Sequence, residues 1–173
     1  MMTIAAVAQL LIALAFVSIP LVRHRYGAAA KAAADAELTR QGVRPAVLEE
    51  NGMRFDAGGH ETWAPVGIAL VVTTLAVLNL AGNDWGPTLS WIFQVLVLLG
   101  NGVILYSNLT AAKTIQTAFA RKCDPELARI DVEAFLAAAE NAFPRWVMPY
   151  LQNLRHATVF GGSIIVLFTL LAA

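Results

Sequence analysis

Four long runs without a charged side chain confine all the cationic residues of this chain to two stretches. The twelve lysines and arginines fall between Arg23 and Arg54 or between Lys113 and Arg155, while residues 2–22, 63–82, 89–111 and 157–173 hold no Asp, Glu, Lys or Arg. A hydrocarbon core of about 30 Å is crossed by about 20 mostly apolar helical residues. Within it a helix satisfies its own backbone, which an irregular segment cannot. The pattern therefore predicts an all-α integral membrane protein with four transmembrane helices. Residues 23–62 and 112–156 are expected to form a small cytoplasmic helical cap, the whole being a single membrane domain over 1–173. At 58% hydrophobic and 14% charged, the chain is too apolar for an average soluble domain.

Charge placement sets the expected orientation. Arg23, His24 and Arg25 follow the first run and nothing basic precedes it, so that run is read as a retained helix with its amino terminus outside. The turn at 83–88 carries only Asp84 and is placed outside with both chain ends, leaving both long loops in the cytoplasm. Trp85 and Trp91 would mark the outer headgroup level; Tyr26, Trp63, Tyr106, Trp146 and Tyr150 would mark the inner one. The alanine-rich composition suits a GC-rich bacterial genome, and the expected location is the bacterial cytoplasmic (inner) membrane. A net charge of zero gives no electrostatic case for nucleic acid.

In the first charged segment, residues 28–41 read as a separate short helix after Tyr26 and Gly27, ended by Gly42. Pro45 opens a helical turn through Glu50, closed by Asn51 and Gly52. A short extended piece at 53–55 and a flexible lead at Gly58 and Gly59 follow. In the second segment the third membrane helix continues inward to Lys122. Asp124 and Pro125 then cap an amphipathic helix over 125–143, with Glu126, Arg129, Glu133 and Glu140 on one side and Leu127, Ile130, Ala134 and Ala138 on another. That apolar face needs cover from the first segment, the membrane surface or a partner. A bend at Pro149 leads into the fourth helix.

Ion and proton pathways use ionisable groups inside the membrane, and the four runs contain no acidic or basic residue; transport is disfavoured. Their polar groups are Gln9, Asn79, Gln94 and Asn101, suited to hydrogen bonds between helices. Gln94 and Asn101, seven residues apart, share one helix face and are candidate ligand contacts. His24 and His156, at the inner ends of the first and fourth helices, are the other candidates and could face each other across the bundle. Their spacing is no ligation motif, and no metal or cofactor is expected. Gly100, Gly102, Gly161, Gly162 and Ser163 would let helices approach closely, inside the bundle or against another subunit. His60 with Glu61 matches no zinc-protease pattern. Cys123, the one cysteine, reads as a structural or surface thiol.

Two functions fit these residues. One is an accessory or scaffolding subunit of a larger bacterial inner-membrane complex without catalysis of its own, held by the small-residue faces and the amphipathic helix. Its partners would be the lipid bilayer and other membrane subunits. The other is a small membrane enzyme or binding protein for a lipid- or quinone-like ligand. In outline the chain is similar to the small four-helix membrane enzymes of glutathione and eicosanoid metabolism. The resemblance implies both chain ends outside and a lipid-like substrate bound between helices near the cytoplasmic face. Those enzymes carry an arginine, asparagine and glutamate set near the inner end of the second helix; here that helix begins at Trp63 and holds only Asn79, deep toward the other side.

Overall fold

The computed structural model describes residues 2–52 and 59–172, all of them helix, turn or connecting chain with no strand. In order these are α1 (Met2–Arg40), α2 (Ala46–Glu50), α3 (Gly59–Leu80), α4 (Trp85–Lys122), a 3₁₀ turn (Leu127–Arg129), α5 (Val132–Asn141), a π-helical turn (Trp146–Leu151) and α6 (Gln152–Leu171). Four stretches are long and apolar enough to cross a membrane: Met2–Arg40, Thr62–Leu80, Trp85–Lys122 and Trp146–Leu171. The extended piece expected at 53–55 lies outside the described residues, as does Gly58, and so do the side chains of His60 and Glu61.

Two compact units share these helices. The first comprises Met1–Leu21, Gly59–Leu105 and Leu151–Ala173; the second comprises Val22–Gly58 and Tyr106–Tyr150. In the first unit, large apolar side chains cover the outside: Leu14, Leu70, Val103 and Phe168 are each about two-thirds exposed. Water would penalise such a surface, and lipid would not. The inside of α1 is lined instead by small residues, Ala5, Ala8 and Ala13, with Gln9, Ile12 and Phe16. Lipid gives helices no hydrophobic reason to associate, so close packing and polar contacts must hold them. A Cβ added at Gly162 of α6 would stand 3.0 Å from the Ile12 side chain, which is how closely α6 meets α1. Arg155 adds two bonds to the same pairing, donating at 2.7 Å from Nε to Ser18 Oγ and at 2.7 Å from Nη2 to the Ser18 carbonyl.

Near the other end of the unit, Gln9 of α1, Asn79 of α3 and Ser90 of α4 form a buried knot. Gln9 Nε2 and Asn79 Nδ2 both donate to Ser90 Oγ at 2.9 Å, and Asn79 Nδ2 also reaches Gln9 Oε1 at 2.9 Å. The turn that brings α3 and α4 together follows from Gly82, whose φ of +65° is open to glycine at no steric cost. Asn83 N–H donates to Leu78 O and Gly82 N–H to Asn79 O, a Schellman closure. Asn83 Oδ1 then accepts from Trp85 N–H and α4 begins.

The second unit has a core of its own. Ala34 and Leu38 from α1, Val43, Val47 and Leu48 around α2, Phe119 of α4, and Leu127, Ile130, Val132, Phe135 and Ala139 pack into one cluster. Fully burying a side chain such as Leu38 or Leu127 removes it from water at a gain of about 1.5–3 kcal/mol. At Gly42, φ +72°, α1 ends in a second Schellman closure: Val43 N–H to Leu38 O at 2.9 Å and Gly42 N–H to Thr39 O at 3.0 Å. As expected, Pro45 precedes the short helix α2 and Asn51 and Gly52 end it.

Two expectations are corrected here. The separate helix at 28–41 does not exist, because α1 is continuous through Gly27 to Arg40. A glycine inside a helix costs about 0.5–1 kcal/mol, too little to break one flanked by alanines. The amphipathic helix over 125–143 is also divided. Ile130 is extended (φ −74°, ψ 119°) and Asp131 restarts the helix as its N-cap, accepting from Ala134 N–H. In one continuous helix, residues two apart point to different sides. Extending the chain at Ile130 and Asp131 lets Ile130 and Val132 both enter the core, and the freed Asp131 N–H donates to Gln41 Oε1 at 2.8 Å. Before Pro149 the helix breaks at Met148 (φ −116°, ψ 118°), the extended conformation a residue preceding proline prefers.

Candidate functional site

Helix α4 turns one continuous side inward: Ser90, Gln94, Val97 and Asn101 are all buried, at the four- and seven-residue steps that share a helical face. The two candidate amides on that face have different surroundings. Gln94 Nε2 donates to Ser163 Oγ of α6 at 2.6 Å, while Asn101 Oδ1 lies 3.1 Å from His156 Nδ1. Each keeps one buried polar atom without a partner, Gln94 Oε1 and Asn101 Nδ2, and His156 Nε2 is likewise buried and unpartnered. Such an unmet group costs about 1–3 kcal/mol.

Beside Asn101 the first unit is hollow. A cleft of about 380 Å³ is bounded by Phe16 of α1, by α3 from Ala64 to Val72 and by α4 from Phe93 to Ile104, with Asn101 the sole polar side chain in its wall. Gly67 and Gly100 create much of the space, since a Cβ at either would meet nothing within 4 Å. Val71, Leu96 and Ile104, which line the cleft, are also exposed, so it reaches the apolar outer surface of the unit. No charged residue and no nucleophile lines it. Chemically it can hold an uncharged hydrophobic molecule; its one polar side chain, Asn101, keeps its unpartnered Nδ2 buried within the wall.

Of the sequence candidates, Asn101 and His156 are brought together, and of the two Asn101 lines the cleft. Gln94 is withdrawn into the α4–α6 contact. His24 is exposed and lies in the second unit. Among the small residues, Gly162 and Ser163 make the close α6 contacts described above. Gly100 opens into the cleft, and a Cβ at Gly102 or Gly161 would also meet nothing within 4 Å. Of the apolar side expected at 125–143, Leu127 and Ile130 pack against the first charged segment of this same chain, but Ala134 and Ala138 lie outside that core, which takes Val132, Phe135 and Ala139 instead because the break at Ile130 and Asp131 rotates the second helix. Sequence reasoning missed the hollow itself and Ser90. The available signal was a glycine in each of two facing apolar runs, Gly67 and Gly100. Among the described residues, no group of three or more His, Cys, Asp or Glu is placed to hold a metal ion.

Comparisons with protein-family models, with curated proteins and with solved structures find no match to this chain.

Proposed function

We propose that this chain is a multi-pass membrane protein that binds a hydrophobic, uncharged, lipid- or quinone-like ligand beside Asn101. The observation that carries the reading is an apolar cleft of about 380 Å³ whose wall holds one polar side chain, Asn101. Its volume falls within the range of about 300–1,000 Å³ typical of small-molecule sites. The exposed rim at Val71, Leu96 and Ile104 gives a lipophile a route from the bilayer that avoids water. The orientation that accompanies this reading has both chain ends outside and both charged segments, folded as a helical cap, in the cytoplasm of a bacterium; it is supported by the confinement of every Lys and Arg to those segments.

Filling the cleft tests the reading. Gly67→Phe and Gly100→Phe place rings where nothing now stands. Organic extracts of protein purified in mild detergent should contain one lipophile in near-stoichiometric amount, depleted about tenfold or more in either variant. Identical extracts from wild type and both variants would remove the reading.

A second reading, an accessory subunit of a larger inner-membrane assembly, is favoured by the open helix surface at Gly102 and Gly161. It requires a fixed-ratio membrane partner in the same purification. Loss of that partner in Gly102→Leu or Gly161→Leu, with the lipophile unaffected, would favour it over ligand binding.

A further inference from the structure

The fourth membrane-crossing stretch, Trp146–Leu171, carries a cation just ahead of its uncharged run. Arg155 of α6 is half-buried against α1. Its guanidinium is anchored on Ser18, five residues before Arg23, the first charged residue of α1. Five helical residues span about 7 Å, so the group lies just inside the level where α1 leaves its apolar run and the headgroup layer begins. A cation taken out of water there is costly, and bonds to neutral groups offset only part of that cost.

The fold supplies no anion to complete the offset. Arg155 donates to Ser18 Oγ from Nε and to the Ser18 carbonyl from Nη2, both at 2.7 Å, and to Gln152 Oε1 from Nη1 at 3.5 Å. None of these partners is charged. Among the side chains described in the first unit, Asp84 is the sole carboxylate, and it sits in the turn between Asn79 and Ser90. Those two residues meet Gln9, nine residues and about 13 Å along α1 from Ser18.

A guanidinium presents five N–H groups in a rigid fork. Ser18 takes the edge made by Nε and Nη2, which fixes the plane of the group. The end of the fork, Nη1 with Nη2, is met only by the long Gln152 contact. Two parallel N–H groups of this kind match two oxygens of one phosphate. Phosphate is the anion a bilayer carries at this level, and basic pockets between membrane helices hold such head groups. A net-negative head offsets the arginine, whereas a zwitterionic head brings a cation of its own.

We infer that Arg155 binds the phosphate of an anionic phospholipid, such as phosphatidylglycerol, on the side of the bilayer where α1 becomes charged. The site is separate from the cleft, whose wall includes none of Ser18, Gln152 and Arg155, and the inference does not depend on what the cleft holds.

Delipidated full chain in mild detergent would be titrated with dioleoylphosphatidylglycerol, dioleoylphosphatidylcholine or dioleoylglycerol, and the first lipid bound followed by native mass spectrometry. Charge-assisted hydrogen bonds predict that phosphatidylglycerol binds about tenfold or more tighter than dioleoylglycerol, with phosphatidylcholine between them. Arg155→Gln should bring phosphatidylglycerol to the level of dioleoylglycerol. Arg121→Gln, the same loss of charge in the second unit, should leave the ranking unchanged, as should Gly100→Phe, which fills the cleft. Inorganic phosphate at millimolar concentration should not displace the lipid, because it brings no tail.

The wild-type ranking and the phosphate competition need no variant to fold. Equal binding of phosphatidylglycerol and dioleoylglycerol, displacement by inorganic phosphate, or a preference that survives Arg155→Gln would each overturn the inference. Loss of phosphatidylglycerol in Gly100→Phe would overturn it too, by moving the lipid into the cleft. A stoichiometric membrane protein lost from Arg155→Gln, with no lipid preference in the wild type, would assign the counter-charge to a neighbouring chain instead.

Discussion

Gly86, in the first turn of α4, stands against Asn79 so closely that a Cβ there would lie 2.7 Å from Asn79 Oδ1 and 3.1 Å from the Asn79 backbone nitrogen. Replacing a helical glycine by alanine ordinarily stabilises a helix by up to about 1 kcal/mol. Here the added methyl would push Asn79 out of its bonds to Gln9 and Ser90, each worth about 0.6 kcal/mol or somewhat more within a bilayer. Gly86→Ala is therefore expected to lower stability by a few tenths of a kcal/mol, on the order of the two lost bonds less the helix gain, whereas Gly100→Ala, with open space around it, should raise it. Reversible unfolding of both variants in mixed micelles checks the pair; a stabilised Gly86→Ala would mean that Asn79 is not held as described. The residues behind this contrast are legible in sequence only as a polar side chain and two glycines. Which glycine is crowded and which borders a hollow depends on what another helix brings opposite.

Elements show where local rules were overridden. Helix α1 keeps its course through Gly27 because the chain there has nothing better to do with its amides. A Cβ at position 27 would sit 3.6 Å from Arg23 Cγ, an ordinary contact. Gly27→Ala should accordingly stabilise α1 by about 0.5–1 kcal/mol. The opposite case is the stretch from Pro125 to Asn141, where helix propensity alone favours one element and the core demands two. Asp131 makes the division possible by capping α5 and by sharing its backbone with Gln41. Asp131→Ala is expected to cost about 1 kcal/mol and to speed amide exchange at the start of α5. Unchanged protection there would show that the core alone holds the break. Composition marked both segments as helical but not where their helices begin and end, and the break at Ile130 was hidden because its cause is eighty to ninety residues away in sequence.

For the whole molecule, the second unit is tied by charge as well as by its core. Arg44 pairs with Glu126 at 2.7 Å and with Glu50 at 3.0 Å, and Asn51 Nδ2 donates to Asp124 at 2.9 Å. The Arg44 guanidinium holds the Glu126 carboxyl below its ordinary value. Asp124 is also held low, first by the Asn51 amide and then by the Glu126 backbone N–H. Both folded values lie below the ordinary 3.8 and 4.5 of these groups. Their support is thus complete above about pH 4.5 and is lost as the pH falls through the lowered values. Between about pH 5 and pH 3, exchange-rate-corrected protection of α2 and of residues 127–129 should fall, and the drop should be smaller in Glu126→Gln, where only the Asp124 part remains. Cys123, exposed at the end of α4, tests the proposed orientation. A membrane-impermeant maleimide should label it only after cells are opened, while Asp84→Cys in a Cys123→Ser background should label in intact cells. The reverse pattern would invert the molecule.

By itself the sequence determined which segments are fit for lipid, because the cost of placing charge in hydrocarbon acts residue by residue and leaves its mark in composition. It also determined that Gln9, Asn79, Gln94 and Asn101 would turn inward, since an uncharged polar group in an apolar helix has no better place. Tertiary structure alone decided that Gln94 meets Ser163 while Asn101 meets His156 beside a hollow, and that Leu127, Ile130, Val132, Phe135 and Ala139 are covered by this same chain. In the membrane helices both sides are apolar, Leu10, Leu11 and Leu14 outside and Ala8, Ile12 and Ala13 inside. Hydropathy therefore cannot fix how each helix is rotated, and rotation, set by contacts between residues far apart in the chain, chooses every partner.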